Sequence, residues 1–221
     1  HYRVAAPGTR FGLPEVTLGI IPGAGGTQRM PRLIGVEKTL ELVLGAKPVD
    51  TDAATSAGFL DAVIAGDLAA GALEYLKSLV AEGKGPRRTS ERSVDPATAT
   101  PAIVQRFKEQ AAKQYPNRQA PYTAIEAITA SMRLPFAQGL AYETDLVNQA
   151  KLTVESRGAV HVFFAERATR KVPGIPADVR AAQVKQAGVI GAGTMGGGIA
   201  ICFANAGIPV VIVDASDEGL Q

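Results

Sequence analysis

Two groups of residues have types and spacings suited to chemistry. In the first, Gly191-Ala192-Gly193-Thr194-Met195-Gly196 follows a short apolar run, Ala187-Gly188-Val189-Ile190, and opens a predicted helix. A second apolar run, Pro209-Val210-Val211-Ile212-Val213, ends at Asp214. Pyrophosphate needs unpaired backbone N–H groups and a helix N-terminus aimed at it. Gly191 permits a tight strand-to-helix turn, Gly193 removes a side chain that would block phosphates, and Gly196 lets helix and strand pack closely. Asp214 can accept hydrogen bonds from a ribose, and its charge repels a 2′-phosphate, which favours NAD over NADP. Strand, helix, strand and aspartate in this register read as the start of a dinucleotide-binding unit. The alternative is a glycine-rich packing turn beside an unrelated aspartate.

The second group is Glu15, just before an apolar segment, and the glycine loop that begins at Gly23. A carboxylate at a buried edge has a raised pKa and can move protons to and from carbon. Backbone N–H groups of a glycine loop can hold a water or an oxyanion. By the residues alone, Glu15 reads first as a solvated residue at a strand end.

The elements that must position these groups follow from apolar spacing. Val16 to Ile21 is a short buried strand or turn, broken at Pro22-Gly23-Ala24-Gly25-Gly26, with Thr27 as a cap for the next segment. Val36, Leu40, Val43 and Leu44 share a helical face. Asp52 to Ala57 predicts a short helix stopped by Gly58, and Phe59 to Ile64 a strand. Leu68, Ala72, Leu76, Leu79 and Val80 stripe another helix. Glu82 to Thr100 reads as an exposed loop. Helices resume after Pro101 (Ile103, Phe107, Ala111) and at Pro121 (Ile125, Ile128, Met132). A long helical stretch runs from Phe136 to about Arg170, broken near Gly158, and residues 171–183 form an interdomain linker.

Bulk properties narrow the function classes. A chain of 221 residues, 46 % hydrophobic and 20 % charged, predicts one or two globular domains. A net charge of +2, 5 % aromatic residues and no Trp argue against nucleic acid or a membrane surface as partner. One cysteine, Cys202, excludes an internal disulfide and reads as a buried, inert thiol on a helix face. Two histidines, His1 and His161, are too few for a histidine metal site. No apolar run has the length of a membrane span.

The run Phe11-Gly12-Leu13-Pro14-Glu15-Val16-Thr17-Leu18-Gly19-Ile20-Ile21-Pro22-Gly23-Ala24-Gly25-Gly26-Thr27-Gln28-Arg29 resembles the enoyl-CoA hydratase (crotonase) family. Val184 to Asp214 resembles the start of an L-3-hydroxyacyl-CoA dehydrogenase. Joined by a helical stretch with Phe163-Phe164-Ala165-Glu166-Arg167, the two resemble the multifunctional enzymes of fatty-acid beta-oxidation. The resemblance implies that Glu15 exchanges a proton with the alpha carbon of an acyl thioester. It implies that the Gly23 N–H helps hold the catalytic water. Gly191, Gly193, Gly196 and Asp214 match the NAD fingerprint. Phe163 and Phe164 would line the acyl-CoA site, although helical spacing alone reads them as core packing.

The resemblance further implies an α/β fold: the C-terminal part of a crotonase-type beta-beta-alpha spiral with a helical region, then the first βαβ unit of a Rossmann domain. Its parts would be residues 1–100 (hydratase/isomerase core), 101–183 (helical region and linker) and 184–221 (start of the NAD-binding domain). The expected reactions are hydration of a trans-2-enoyl-CoA and NAD-dependent oxidation of the L-3-hydroxyacyl-CoA, with possible double-bond isomerisation. In the resembled family a second glutamate and both oxyanion donors precede the position of His1, and a His–Glu pair follows Gln221. The expectation is therefore a junction fragment, inactive alone, from a cytoplasmic enzyme if bacterial or a peroxisomal one if eukaryotic. The rival readings are a stand-alone NAD oxidoreductase and a non-catalytic scaffold whose helices from Pro101 to Arg170 bind a partner.

Overall fold

The protein is represented by a computed structural model that describes residues 1–169, 172–176, 178–180 and 182–220. It divides into two units, His1–Arg170 and Lys171–Gln221. The first contains β1 (Val4–Ala5), a 3-10 helix at Glu15–Leu18, α1 (Gly26–Ile34), α2 (Val36–Gly45), α3 (Thr51–Ser56), β2 (Ala62–Val63) and α4 (Leu68–Ala81). Two short 3-10 turns come next, and then α5 (Pro101–Gln114), α6 (Ala120–Ala130), α7 (Phe136–Lys151) and α8 (Val154–Ala168). The second unit contains β3 (Ala187–Ile190), α9 (Thr194–Asn205) and β4 (Val210–Val213). β1 pairs with β2, and β3 with β4, both in parallel.

The apolar spacing of α2 is realised in its packing. Val36, Leu40, Val43 and Leu44 are all fully buried, and they meet Phe107 and Ala111 of α5 and Ile125 and Ile128 of α6 in one core. Ala120, Ala124, Ala127 and Ala130 keep the buried face of α6 small, so neighbouring helices approach its backbone closely. Local capping sets the helix starts. Asp67 accepts from Ala69 and Ala70 N–H, and Thr100 accepts from Ile103 N–H with Pro101 at the first helical position. The core is continuous across residue 100, because Val16 and Leu40 share it with Phe107 and Ile125.

Several expectations are corrected. Of the strand or turn offered for Val16 to Ile21, the chain takes a 3-10 helix over Glu15–Leu18, stopped by Gly19 at φ +68°. The strand expected over Phe59 to Ile64 shrinks to Ala62–Val63, since its partner β1 offers only two residues. Glu82 to Thr100 is mostly exposed, yet Ala99 is buried and Val94 packs on the core. The long helix breaks at Leu152–Thr153, where Thr153 accepts from Ser156 N–H and caps α8, while Gly158 lies inside α8. On α4 only Leu79 is buried; Leu68, Leu76 and Val80 face outward, because among the described residues nothing covers that side. Cys202 is exposed rather than buried, since among the described residues α9 packs on the two strands β3 and β4. The linker expected at 171–183 begins where the two units part, and its residues 171, 177 and 181 lie outside the described residues.

Leu40→Ala removes a fully buried side chain at the meeting point of α2, α5 and α6. The expected cost is about 3 kcal/mol of unfolding free energy, read from the urea midpoint of the variant. A loss below about 1 kcal/mol would show that the core relaxes around the deletion.

Candidate functional site

Glu15 is the first residue of its 3-10 helix. The turn is pinned from several sides. Val16 is buried in the core beneath it. Gly19 closes it so tightly against α8 that an added Cβ would lie 2.8 Å from the Ser156 backbone. Arg118 donates to the Thr17 carbonyl at 3.0 Å, and Glu155 of α8 accepts from Gln119 N–H at 2.8 Å. The N-termini of α6 and α8 are thereby tied to the same turn. Glu15 itself is half-buried, and its Oε2 is shielded with no hydrogen-bond partner among the described residues. Burial pushes its carboxyl pKa up. A carboxyl group that holds its proton more tightly, with one oxygen uncommitted, suits exchange of a proton with a bound molecule.

The loop after this turn carries two consecutive left-handed residues, Ala24 at φ +53° and Gly25 at φ +86°. Gly26 N–H donates to the Gly23 carbonyl at 2.9 Å, which closes the turn. No backbone acceptor takes the Gly23 N–H among the described residues. Thr27 does not cap α1 as its position suggests: the N-cap is Gly25, which has no side chain to serve. The cap comes from α7 instead. Glu143 accepts from Gly25 N–H at 2.6 Å, from Thr27 N–H at 2.8 Å and from the Thr27 hydroxyl at 2.6 Å. Sequence reasoning missed Glu143. Its one signal is position: it is the acidic member of the buried set of α7, Gly139, Glu143 and Ala150.

Two cavities flank this region. One of about 780 Å³ is lined by Phe11, Leu13, Met30, Leu42 and Phe59, with Lys38 and Glu41 among its polar residues; neither Glu15 nor Gly23 lines it. A smaller one of about 380 Å³ lies between Thr17 and Leu18 and the α8 residues Val162, Phe163 and Glu166. Phe163 thus sits beside the Glu15 turn, whereas Phe164 is 62 % exposed and does not line that cavity. Glu37 is engaged elsewhere, in an ion pair with Arg106.

In the second unit the four singled-out residues gather at one end of the two-stranded sheet. Gly191 takes φ +100°, and its N–H bonds the Val213 carbonyl at 2.7 Å. Gly193 is the N-cap of α9, with open space where a Cβ would stand and no side chain capping the first turn. At Gly196 a Cβ would collide with the Gly191 carbonyl oxygen. Asp214 accepts from Ala192 N–H at 2.6 Å and from Ser216 N–H at 3.1 Å, and these bonds hold its pKa below the usual carboxylate value. No cluster of three His, Cys, Asp or Glu residues suited to a metal occurs among the described residues.

The raised value for Glu15 fixes the sign of its contribution to stability. The folded chain holds this proton more tightly than the unfolded one. That stability is complete below the ordinary value of 4.5 and is lost as pH rises through the folded value. Glu15→Gln should therefore gain stability relative to the wild type between pH 4 and pH 7, read from urea unfolding at both; parallel pH profiles would refute it. Gly196→Ala should unfold the β3–α9–β4 unit and leave residues 1–170 protected, as read by amide exchange. Retained protection in β3 would show that the collision is relieved locally.

The enoyl-CoA hydratase/isomerase family model matches residues 1–130, and the NAD-binding domain of 3-hydroxyacyl-CoA dehydrogenase matches residues 186–221. The peroxisomal bifunctional enzyme of Cavia porcellus is 36 % identical over 225 residues, covering 100 % of this chain and 31 % of the relative. A peroxisomal fatty acid beta-oxidation multifunctional protein of Arabidopsis thaliana is 34 % identical with the same coverage. The chain thus spans about a third of the length of these curated relatives. A carnitinyl-CoA dehydratase from Mycobacterium thermoresistibile superposes with TM-score 0.50 at 19 % identity, over 81 % of this chain and 59 % of that one, a likeness of fold. The chain belongs to the enoyl-CoA hydratase/isomerase family and runs on into the start of a 3-hydroxyacyl-CoA dehydrogenase NAD-binding domain.

Proposed function

We propose that this chain is the junction of a multifunctional fatty-acid beta-oxidation enzyme, with residues 1–100 closing the hydratase core, 101–183 forming the helical region and linker, and 184–221 opening the NAD-binding domain. The observation that carries the reading is the uncommitted, buried Oε2 of Glu15 on a turn that leads into the glycine loop, in the same chain as a nucleotide-type glycine turn. In this reading Glu15 gives a proton to, or takes one from, the alpha carbon of an enoyl thioester. The Gly23 N–H orients the water that adds at the beta carbon. Phe163, beside the Glu15 turn, faces the acyl end of the substrate. The same carboxyl group, moving a proton between carbons, would serve double-bond isomerisation.

The residues of the second unit fit NAD. The α9 N-terminus is uncapped by side chains, Gly193 leaves the approach open, and each Asp214 oxygen keeps a lone pair beyond its backbone bond. The α9 N–H groups would hold the pyrophosphate and Asp214 the adenine-side ribose. Bound NAD would supply a hydride acceptor for the 3-hydroxyl carbon. In a eukaryote the proposed compartment is the peroxisome, and in a bacterium the cytoplasm.

The test separates the two halves in the full-length protein that carries this chain. It should hydrate crotonyl-CoA and reduce NAD with L-3-hydroxybutyryl-CoA. Glu15→Ala should lower hydration by roughly 10³-fold and spare NAD reduction. Asp214→Ala should raise the KM for NAD and spare hydration. Hydration that survives Glu15→Ala would sink the reading.

A further inference from the structure

We infer that Glu143 is the positioning residue of the Gly23–Gly25 loop, an assignment that rests on the proposed role of Gly23 in holding the reacting water. Glu143 is 1 % exposed, yet it takes part in none of the ion pairs found among the described residues. Its charge is met instead by two backbone N–H groups and one hydroxyl at the start of α1. A carboxylate in that position also faces the positive end of the helix dipole. Charge-assisted bonds of this kind are short and directional.

Those bonds hold a strained backbone. Ala24 is a non-glycine residue at φ +53°, next to Gly25 at φ +86°. Left-handed conformations at residues with a Cβ persist only where the surroundings over-determine them. Gly25 lacks a side chain to cap its own helix, and Gly26 N–H is already spent on the Gly23 carbonyl. Glu143 supplies the remaining restraint, clamping Gly25 from one oxygen and Thr27 from the other. The Gly25 N–H lies in the rigid Ala24–Gly25 peptide plane, so Glu143 holds that plane, while the Gly26 N–H bond to the Gly23 carbonyl holds the plane before Ala24, and the two together fix the loop at Gly23. The clamp is anchored in turn. Thr27 Oγ1 accepts from Gln28 Nε2 at 3.1 Å, and that amide also donates to the Ala127 carbonyl of α6 at 2.9 Å. Glu143 therefore acts on the reaction through the loop and does not itself touch substrate.

The experiment has one arm on this 221-residue chain and one on the full-length enzyme. Glu143→Gln keeps the shape but sets an NH₂ against a backbone N–H. On the chain, amide exchange at Gly25 and Thr27 should quicken at least tenfold while α5 amides keep their rates. In the enzyme, kcat for crotonyl-CoA hydration should fall at least tenfold with KM unchanged within twofold. Adding Ala24→Gly, which removes the strain the clamp restrains, should restore part of the lost kcat. Unchanged exchange at Gly25 and Thr27 overturns the proposal. So does unfolding of the E143Q chain or a uniform loss of protection across residues 1–170, since either assigns Glu143 to the core alone. A kcat that Ala24→Gly fails to raise overturns it too. A wild-type enzyme that does not hydrate crotonyl-CoA sinks the functional reading, while the exchange arm still decides whether Glu143 holds the loop.

Discussion

The start of α1 cannot satisfy itself, and much of the first unit is arranged around that fact. A helix N-terminus leaves N–H groups without partners. Here the N-cap is a glycine, so the partners must come from elsewhere in the chain. They come from Glu143 on α7, and the bonds continue through Thr27 and Gln28 to α6. Arg32, one turn on, donates to the Gln28, Ser131 and Leu134 carbonyls and closes the C-terminal end of α6 onto α1. The helices after residue 100 are thus part of what shapes the glycine loop. They are not an appendage to a finished core.

This dependence explains which features are legible in the sequence and which are not. Local rules carry the helices: the apolar face of α2, the Thr100–Pro101 start of α5 and the proline in the first turn of α6 each depend on residues within a turn or two. The nucleotide-type turn is legible for the same reason, since Gly191, Gly193 and Gly196 act on their own backbone. Glu143 is not legible, because its partners Gly25 and Thr27 lie far away in sequence and nothing near it announces them. The break before α8 is easily misplaced because Gly158 is the obvious helix breaker. The cap that decides the matter is the less conspicuous Thr153. Cys202 misleads because apolar spacing predicts which face wants burial, not whether anything covers it.

The 3-10 helix at Glu15–Leu18 shows how packing overrides a pattern. Its apolar run is compatible with a strand, but Gly19 must pass against the Ser156 backbone, and only a tight left-handed stop allows that approach. The stop turns the chain so that Val16 and Ile21 both enter the core while Glu15 stays at its edge. One carboxylate is thereby held half out of water by its apolar neighbours.

The two carboxylates at the centre of the candidate chemistry are driven in opposite directions by simple means. Glu15 loses hydration and gains no protein donor on Oε2, so its carboxyl pKa is pushed up. Asp214 stands at the surface with a backbone N–H on each oxygen, so its charged form is favoured. Those shifts run in the directions the two proposed tasks require. A group that trades protons with carbon must be able to hold one, and a group that accepts ribose hydroxyls must not. Neither environment uses a charged partner. Burial sets one and backbone donors set the other, so each task depends on the turn that presents the residue: the stop at Gly19 for Glu15, and the passage from β3 into α9 for Asp214.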